Sequence, residues 1–151
     1  MRAATLQTFL HLQQQIDNST EQVVMTAHPS SSSTKTGIIK FDNVAFSVGI
    51  ANLSAFKSSG KFVCEKEGLY LFSVSIVSAT NHAYFSMYQN NNVLSYTYIG
   101  YNSNNPSTLR YTGTAVHALQ LRLNDSVWVY YDVPFHVESG FWSTFTIAKI
   151  K

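Results

Sequence analysis

The sequence predicts an all-β domain folded as a jelly-roll sandwich, preceded by a short segment that is either helical or disordered. Three observations predict it. Short apolar runs recur at regular spacing with turn residues between them, the pattern of a sandwich or barrel. Aromatic residues reach 14%, with ten Phe and nine Tyr, and bulky rings suit a pleated, half-buried surface. Charged residues make up only 12%, about half the usual fraction, so Ser, Thr, Asn and Tyr must supply much of the surface. A jelly roll also hides most strand edges within two packed sheets.

The elements follow in order. In residues 1–20, Leu6, Phe9 and Ile16 recur at heptad-like positions, with Gln13 completing the spacing. This is the only helical periodicity in the chain. The segment reads either as the end of a coiled-coil stalk that helps several chains assemble or as a frayed arm, since three turns alone are marginal in water. Asp17-Asn18-Ser19-Thr20 is its stop, because these residues prefer caps and turns. Residues 21–151 form the globular domain. Gln22 to His28 is its first strand, ended by Pro29, and Ser30 to Thr36 is a Ser/Thr-rich loop. Gly37 to Val48 gives two short strands around Asp42-Asn43.

Gly60-Lys61-Phe62-Val63-Cys64 is a short strand, and Glu65-Lys66-Glu67 turns the chain into a longer one, Leu69 to Ser78. Side chains alternate with a period of two, so Tyr70, Phe72, Val74 and Ile76 share one face. Ala83 to Gln89 and Val93 to Ile99 are joined by Asn90-Asn91-Asn92, because Asn tolerates left-handed backbone angles. A polar loop runs from Gly100 to Pro106. Thr108 to Leu121 places Leu109, Tyr111, Ala115, Leu119 and Leu121 on one face. Asn124-Asp125 turns into Val127 to Tyr131, a loop runs through Asp132 to Glu138, and Phe141 to Ile150 closes the domain. Val127 to Tyr131 is apolar on both faces, so some outer faces, Trp128 among them, are expected to be covered by other subunits.

Bulk properties exclude several functions. A net charge of +2 with no basic run argues against nucleic acid. No segment approaches 18 apolar residues, so no membrane insertion is expected. Met1-Arg2-Ala3-Ala4-Thr5 lacks the apolar core of a signal peptide, which a mature chain would have lost. The single cysteine, Cys64, excludes an internal disulfide and reads as a small buried hydrophobe. No His-Glu-x-x-His, Gly-x-Ser-x-Gly or phosphate loop occurs, so no enzyme is expected. Three glycosylation sequons begin at Asn18, Asn52 and Asn124.

At this point the motifs resemble a known family. Phe41-Asp42-Asn43-Val44, Gly60-Lys61-Phe62-Val63-Cys64, Gly68-Leu69-Tyr70-Leu71-Phe72-Ser73, Leu119-Gln120-Leu121 with Asp125-Ser126-Val127-Trp128-Val129, and Ser143-Thr144-Phe145 resemble the globular head of complement C1q, from about Val23 to the C-terminus. The sequence departs from the family at Ser47-Val48-Gly49, at Glu65 after the cysteine, and at Thr146-Ile147-Ala148. The resemblance implies a ten-stranded jelly roll of the tumour-necrosis-factor type, a tight homotrimer, secretion and recognition without catalysis. Stand-alone members act as lectin-like immune receptors. Some heads bind calcium, so calcium is the one ion to consider as a cofactor.

Candidate sites are binding sites. Sugars are held by aromatic platforms flanked by amides and hydroxyls that replace the hydration of the sugar. The segment Tyr96 to Thr108, with Tyr98, Tyr101, Asn102, Asn104 and Asn105, has that composition, as does the turn region Tyr88 to Asn92. Arg110 beside it would pair with a carboxylate such as that of sialic acid. The alternative is an ordinary polar loop packed on a neighbouring subunit. Asp132, His136 and Glu138 fall in one loop and either hold calcium or zinc or are simply solvated. His117, between Ala115 and Leu119, reads as a core or interface histidine. The chain is therefore expected to be a secreted homotrimeric lectin-like protein that binds glycans or microbial surface patterns. The alternative is a protein-binding module that engages a receptor or matrix protein.

Overall fold

A computed structural model describes residues 2–100 and 109–151, with side chains at 4–16, 21–32, 34–100 and 109–151. Helix α1 (Arg2–Thr20) leads into ten strands among the described residues. These are β1 (Val24–His28), β2 (Ser33–Ile38), β3 (Asn43–Val48), β4 (Phe62–Val63), β5 (Gly68–Ser78), β6 (Tyr84–Gln89), β7 (Asn92–Tyr98), β8 (Tyr111–Leu121), β9 (Ser126–Val137) and β10 (Thr144–Lys149). A short helix, α2 (Leu53–Ser59), precedes β4. The first sheet runs β3-β1-β10-β5-β8 and the second β2-β9-β6-β7, with β2 and β4 sharing one edge of β9. The first strand thus pairs with the last, as a jelly roll requires, and the predicted ten-stranded all-β fold is the one formed.

The core lies between the sheets. Tyr70, Phe72, Val74 and Ile76 of β5 are all fully buried, as their alternation predicts. Val127, Val129 and Tyr131 of β9 face them from the second sheet. Phe145 of β10 is the hub: its ring lies 5.0 Å from Phe72, 5.1 Å from Phe56 and 5.4 Å from Phe41. Tilted aromatic pairs at such distances add about 0.5–1.5 kcal/mol each beyond the area they bury.

Three expectations are corrected, and one element is added. The loop expected at Ser30 to Thr36 gives way to β2 from Ser33, because Ser33 to Lys35 pair with Val137 to Phe135 of β9. The loop expected through Asp132 to Glu138 is strand as far as Val137, for the same reason. The stretch before Gly60 forms α2. Asn52 caps it by accepting from the Ala55 N–H at 3.1 Å, Phe56 drops into the core, and Gly60 ends it at φ +80°. A side chain at Gly60 would meet Ile38 and the Ile39 carbonyl, so only glycine fits there. Finally, Phe141 and Trp142 lie in a 3-10 turn, Gly140–Trp142, not in the closing strand.

The two outer faces differ. On the first sheet, pairing sets Phe46 and Val48 beside Thr26 and Val24, Ala148 beside Leu71, and Leu71 beside Ala118. Thr146, Ser73 and Val116 fill the next row. No Lys, Arg, Asp or Glu shares this face within the paired strands, and Phe46, Val48, Leu71 and Val116 are exposed on it. On the second sheet, Trp128 is only 7% exposed. Tyr88 stacks on its ring at 5.4 Å with planes 2° apart, and the Lys61 ammonium sits 4.5 Å above it. The chain itself covers Trp128, so the expectation that another subunit does so is corrected.

Candidate functional site

Three rungs of side chains build the outer face of the second sheet. Tyr98 of β7 pairs with Tyr84 of β6, and their rings stand 5.5 Å apart. Tyr96, Ser86 and Tyr130 form the next rung across β7, β6 and β9. Tyr88 and Trp128 form the third, with Tyr130 edge-on to Tyr88 at 5.8 Å. Alternation along each strand turns these side chains outward while Phe85, Met87 and Val129 fill the core. Tyr96 and Tyr98 remain 64% and 66% exposed. Strands lie about 4.8 Å apart, so the rungs set Tyr84, Tyr96, Tyr98 and Tyr130 on one face around the buried Ser86.

Polar groups on this face are few. The Ser86 hydroxyl donates to Asp132 Oδ1 at 3.1 Å, while Asp132 Oδ2 is buried without a partner. Burial pushes the Asp132 carboxyl above its ordinary range, although the Ser86 bond pulls the other way. Lys61 stands over Trp128 at the far side. Such a surface combines exposed aromatic rings with few polar groups.

The predicted site residues divide. Tyr98 stands on the outer face of the second sheet. Tyr101, Asn102, Asn104 and Asn105 lie outside the described residues. Arg110 follows them and is engaged within the chain: its Nε donates to Glu138 Oε1 at 2.8 Å. His136 Nδ1 is 3.7 Å from the same oxygen. Asp132 instead faces Ser86, so the predicted trio is not gathered. Among the described residues, no three His, Cys, Asp or Glu side chains are grouped to hold a metal ion. Among the described residues, Asp132, His136 and Glu138 are not gathered into a calcium site.

Other candidates resolve structurally. His117 Nε2 lies 2.8 Å from the Ser95 hydroxyl, a satisfied contact between the sheets. Cys64 is buried, and burial pushes its thiol up, so it is a poor nucleophile. In the turn after β6, Asn90 accepts from the Ser126 N–H at 3.0 Å and donates to Asp125 at 3.2 Å, so its amide braces the β9 entry. Two features escaped sequence reasoning. Tyr84 and Tyr130 join that outer face through register, a non-local property. Phe141 and Trp142 project from their turn, 89% and 71% exposed; the glycine before them was the available signal.

Jelly-roll strand order and two packed antiparallel sheets place the chain in the class of jelly-roll domains. The C1q domain model matches residues 22–146, and the chain belongs to the C1q domain family. Among solved structures it is similar to the globular domain of the zebrafish complement 1qA protein, with TM-score 0.69, 16% identity, and coverage of 85% of this chain and 98% of that one. The Eiger TNF of S. frugiperda gives TM-score 0.65 and 13% identity, covering 87% and 92%. Murine APRIL at pH 5.0 gives 0.64 and 10%, covering 86% and 100%. No curated protein matches the chain. Domains of this family commonly form trimers and bind proteins or ligands, typically without catalysis. No helix among the described residues is long and apolar enough to cross a membrane.

Proposed function

We propose that this chain is a secreted, non-enzymatic recognition protein that works as a homotrimer and binds glycans of microbial or cellular surfaces. The aromatic face of Tyr84, Tyr96, Tyr98 and Tyr130 carries the glycan reading. Tyr101, Asn102, Asn104 and Asn105 have the composition of a sugar-binding segment in the sequence that follows Tyr98. The uncharged outer face of the first sheet supports the trimer, because one copy leaves Phe46, Leu71 and Val116 in water. Three sites on one trimer would raise weak single-site binding by avidity. A glycan array tests the reading. The folded protein should bind at least one neutral glycan class, and Tyr96→Ala with Tyr98→Ala should abolish the signal without unfolding. Silence across the array and across microbial extracts would remove it.

One observation favours a second reading, engagement of a receptor or matrix protein. Phe141 and Trp142 stand side by side in solvent, and exposed aromatic residues are the usual anchors of protein contacts. Pull-down from tissue extract that survives the tyrosine substitutions but fails with Trp142→Ala would favour it.

A further inference from the structure

The turn that carries Phe141 and Trp142 is held on several sides. Gly140 takes φ +65°, a left-handed angle that glycine adopts at little cost, and its N–H donates to the Pro29 carbonyl at 3.0 Å. The Ser139 N–H donates to the Ser32 hydroxyl at 2.9 Å, and that hydroxyl donates to the Ser139 hydroxyl at 2.9 Å. His28 stands edge-on to the Phe141 ring at 5.4 Å, and its Nδ1 donates to the Ser143 carbonyl at 2.8 Å. Pairing of β1 with β10 sets Val24 beside Ala148 and Ala27 beside Phe145. The turn, just before Thr144, therefore lies at the end of the sandwich remote from α1. Two large aromatic side chains are fixed there in water, and neither belongs to the core.

Glu138, Ser139, Gly140, Phe141 and Trp142 line one open cavity of about 520 Å³, within the roughly 300–1,000 Å³ of small-molecule sites. Glu138 supplies its charge. The Glu138 N–H donates to the Val77 carbonyl at 2.9 Å, which anchors the residue. Its Oε1 accepts from Arg110 Nε at 2.8 Å and has His136 Nδ1 at 3.7 Å. Its Oε2 has no partner among the described residues. Arg110 Nη1 donates to the Leu109 carbonyl at 3.3 Å, and Nη2 is likewise without a partner among the described residues. Aromatic faces, an available carboxylate oxygen and an available guanidinium N–H group thus meet at one place.

We infer that this end of the sandwich binds a choline phosphoester, its trimethylammonium against Trp142 and Phe141 beside Glu138 and its phosphate on Arg110. Aromatic faces attract cations, Trp most strongly, and quaternary ammonium groups are held in this way. A primary ammonium is a strongly hydrated point charge and fits an aromatic site less well. A trimethylammonium sheds water more readily and lays methyl groups on the rings. The Glu138 carboxylate and the Arg110 guanidinium are 2.8 Å apart, an acid beside a base, and a zwitterion with closely spaced charges complements both. Guanidinium groups bind phosphate through short charge-assisted hydrogen bonds. A turn already fixed in shape loses little freedom when the ligand arrives. An apolar protein side chain on the same rings would leave Glu138 unused. The site shares no residue with the tyrosines of the second sheet, so it is independent of the glycan reading.

Calorimetric titration of phosphocholine into the full chain tests the site. Phosphocholine should bind at least about tenfold more tightly than phosphoethanolamine, which has the same phosphate on a primary amine. Trp142→Leu keeps apolar bulk but removes the ring, and should weaken binding at least about tenfold. Glu138→Gln removes the charge, still accepts from Arg110, and should weaken it about fivefold. Circular dichroism verifies the fold of both variants, whose substitutions lie outside the core. Absence of binding at millimolar phosphocholine, equal affinity for phosphoethanolamine, or unchanged affinity in Trp142→Leu would each overturn the site. Phosphatidylcholine vesicles separate the sources of the ligand. Vesicle binding that free phosphocholine displaces supports a lipid headgroup. Phosphocholine binding without vesicle binding supports a soluble or glycan-linked phosphoester. Vesicle binding that persists in Glu138→Gln and in excess phosphocholine would mean plain apolar insertion of Phe141 and Trp142, and would refute the choline site.

Discussion

Arg110 and Glu138 meet at 2.8 Å, guanidinium Nε to carboxylate oxygen, twenty-eight residues apart in sequence. Arg110 is the residue that the glycan proposal would assign to an acidic sugar, and Glu138 already pairs with it. The protein should therefore prefer neutral glycans. Glu138→Ala removes the acceptor and frees the guanidinium for a ligand carboxylate. Hydrogen bonds to charged groups contribute about 1.5–3 kcal/mol, so binding to sialylated probes should rise about tenfold or more on an array. Neutral probes should be unaffected.

The Phe145 hub predicts a second outcome. Its ring touches Phe41, Phe56 and Phe72 at once, so truncation leaves a cavity between the sheets and α2. Phe145→Ala should lose about 3–5 kcal/mol in urea unfolding, while Phe145→Leu should lose much less. Equal losses would mean that ring packing contributes little.

Asp132 predicts a pH dependence. Burial holds its carboxyl above the ordinary value of 3.8. An acid raised in this way contributes stability while protonated. That contribution is full below the unfolded value and is lost as pH rises through the folded one. Asp132→Asn removes the loss, and its amide oxygen still accepts from Ser86. The variant should melt above the parent at pH 7 and level with it at pH 3. A lower melting point at pH 7 would show the carboxylate to be favourable.

How much of this was legible in the sequence depends on locality. Period-two alternation exposed the buried face of β5, because each side chain's direction is fixed by its own strand. The edge strand β2 was not legible: Ser33 to Thr36 is polar, and only pairing with β9 makes it a strand. Helix α2 is too short to show periodicity, although Asn52 and Gly60 at its ends are cap residues. Tyr98 was singled out from composition, and it stands exposed on the outer face of the second sheet. Its neighbours Tyr84 and Tyr130 come from strand register, which a single sequence does not disclose. Trp128 read as a subunit contact because Tyr88, forty residues earlier in the chain, could not be known to lie over it.

Calcium gives a further test. Glu138 is occupied by Arg110, and Asp132 lies against Ser86. Millimolar calcium chloride should leave the melting temperature unchanged, as should a chelator. A rise with calcium that the chelator reverses would locate an ion among residues 101–108 or between copies.

Sedimentation equilibrium at micromolar concentration tests the central claim most directly. Phe46, Val48, Leu71 and Val116 lie on a face free of Lys, Arg, Asp and Glu, and they need cover. The account predicts a single species of three times the 16.9 kDa chain mass. A folded species of 16.9 kDa that persists across the concentration range would contradict it.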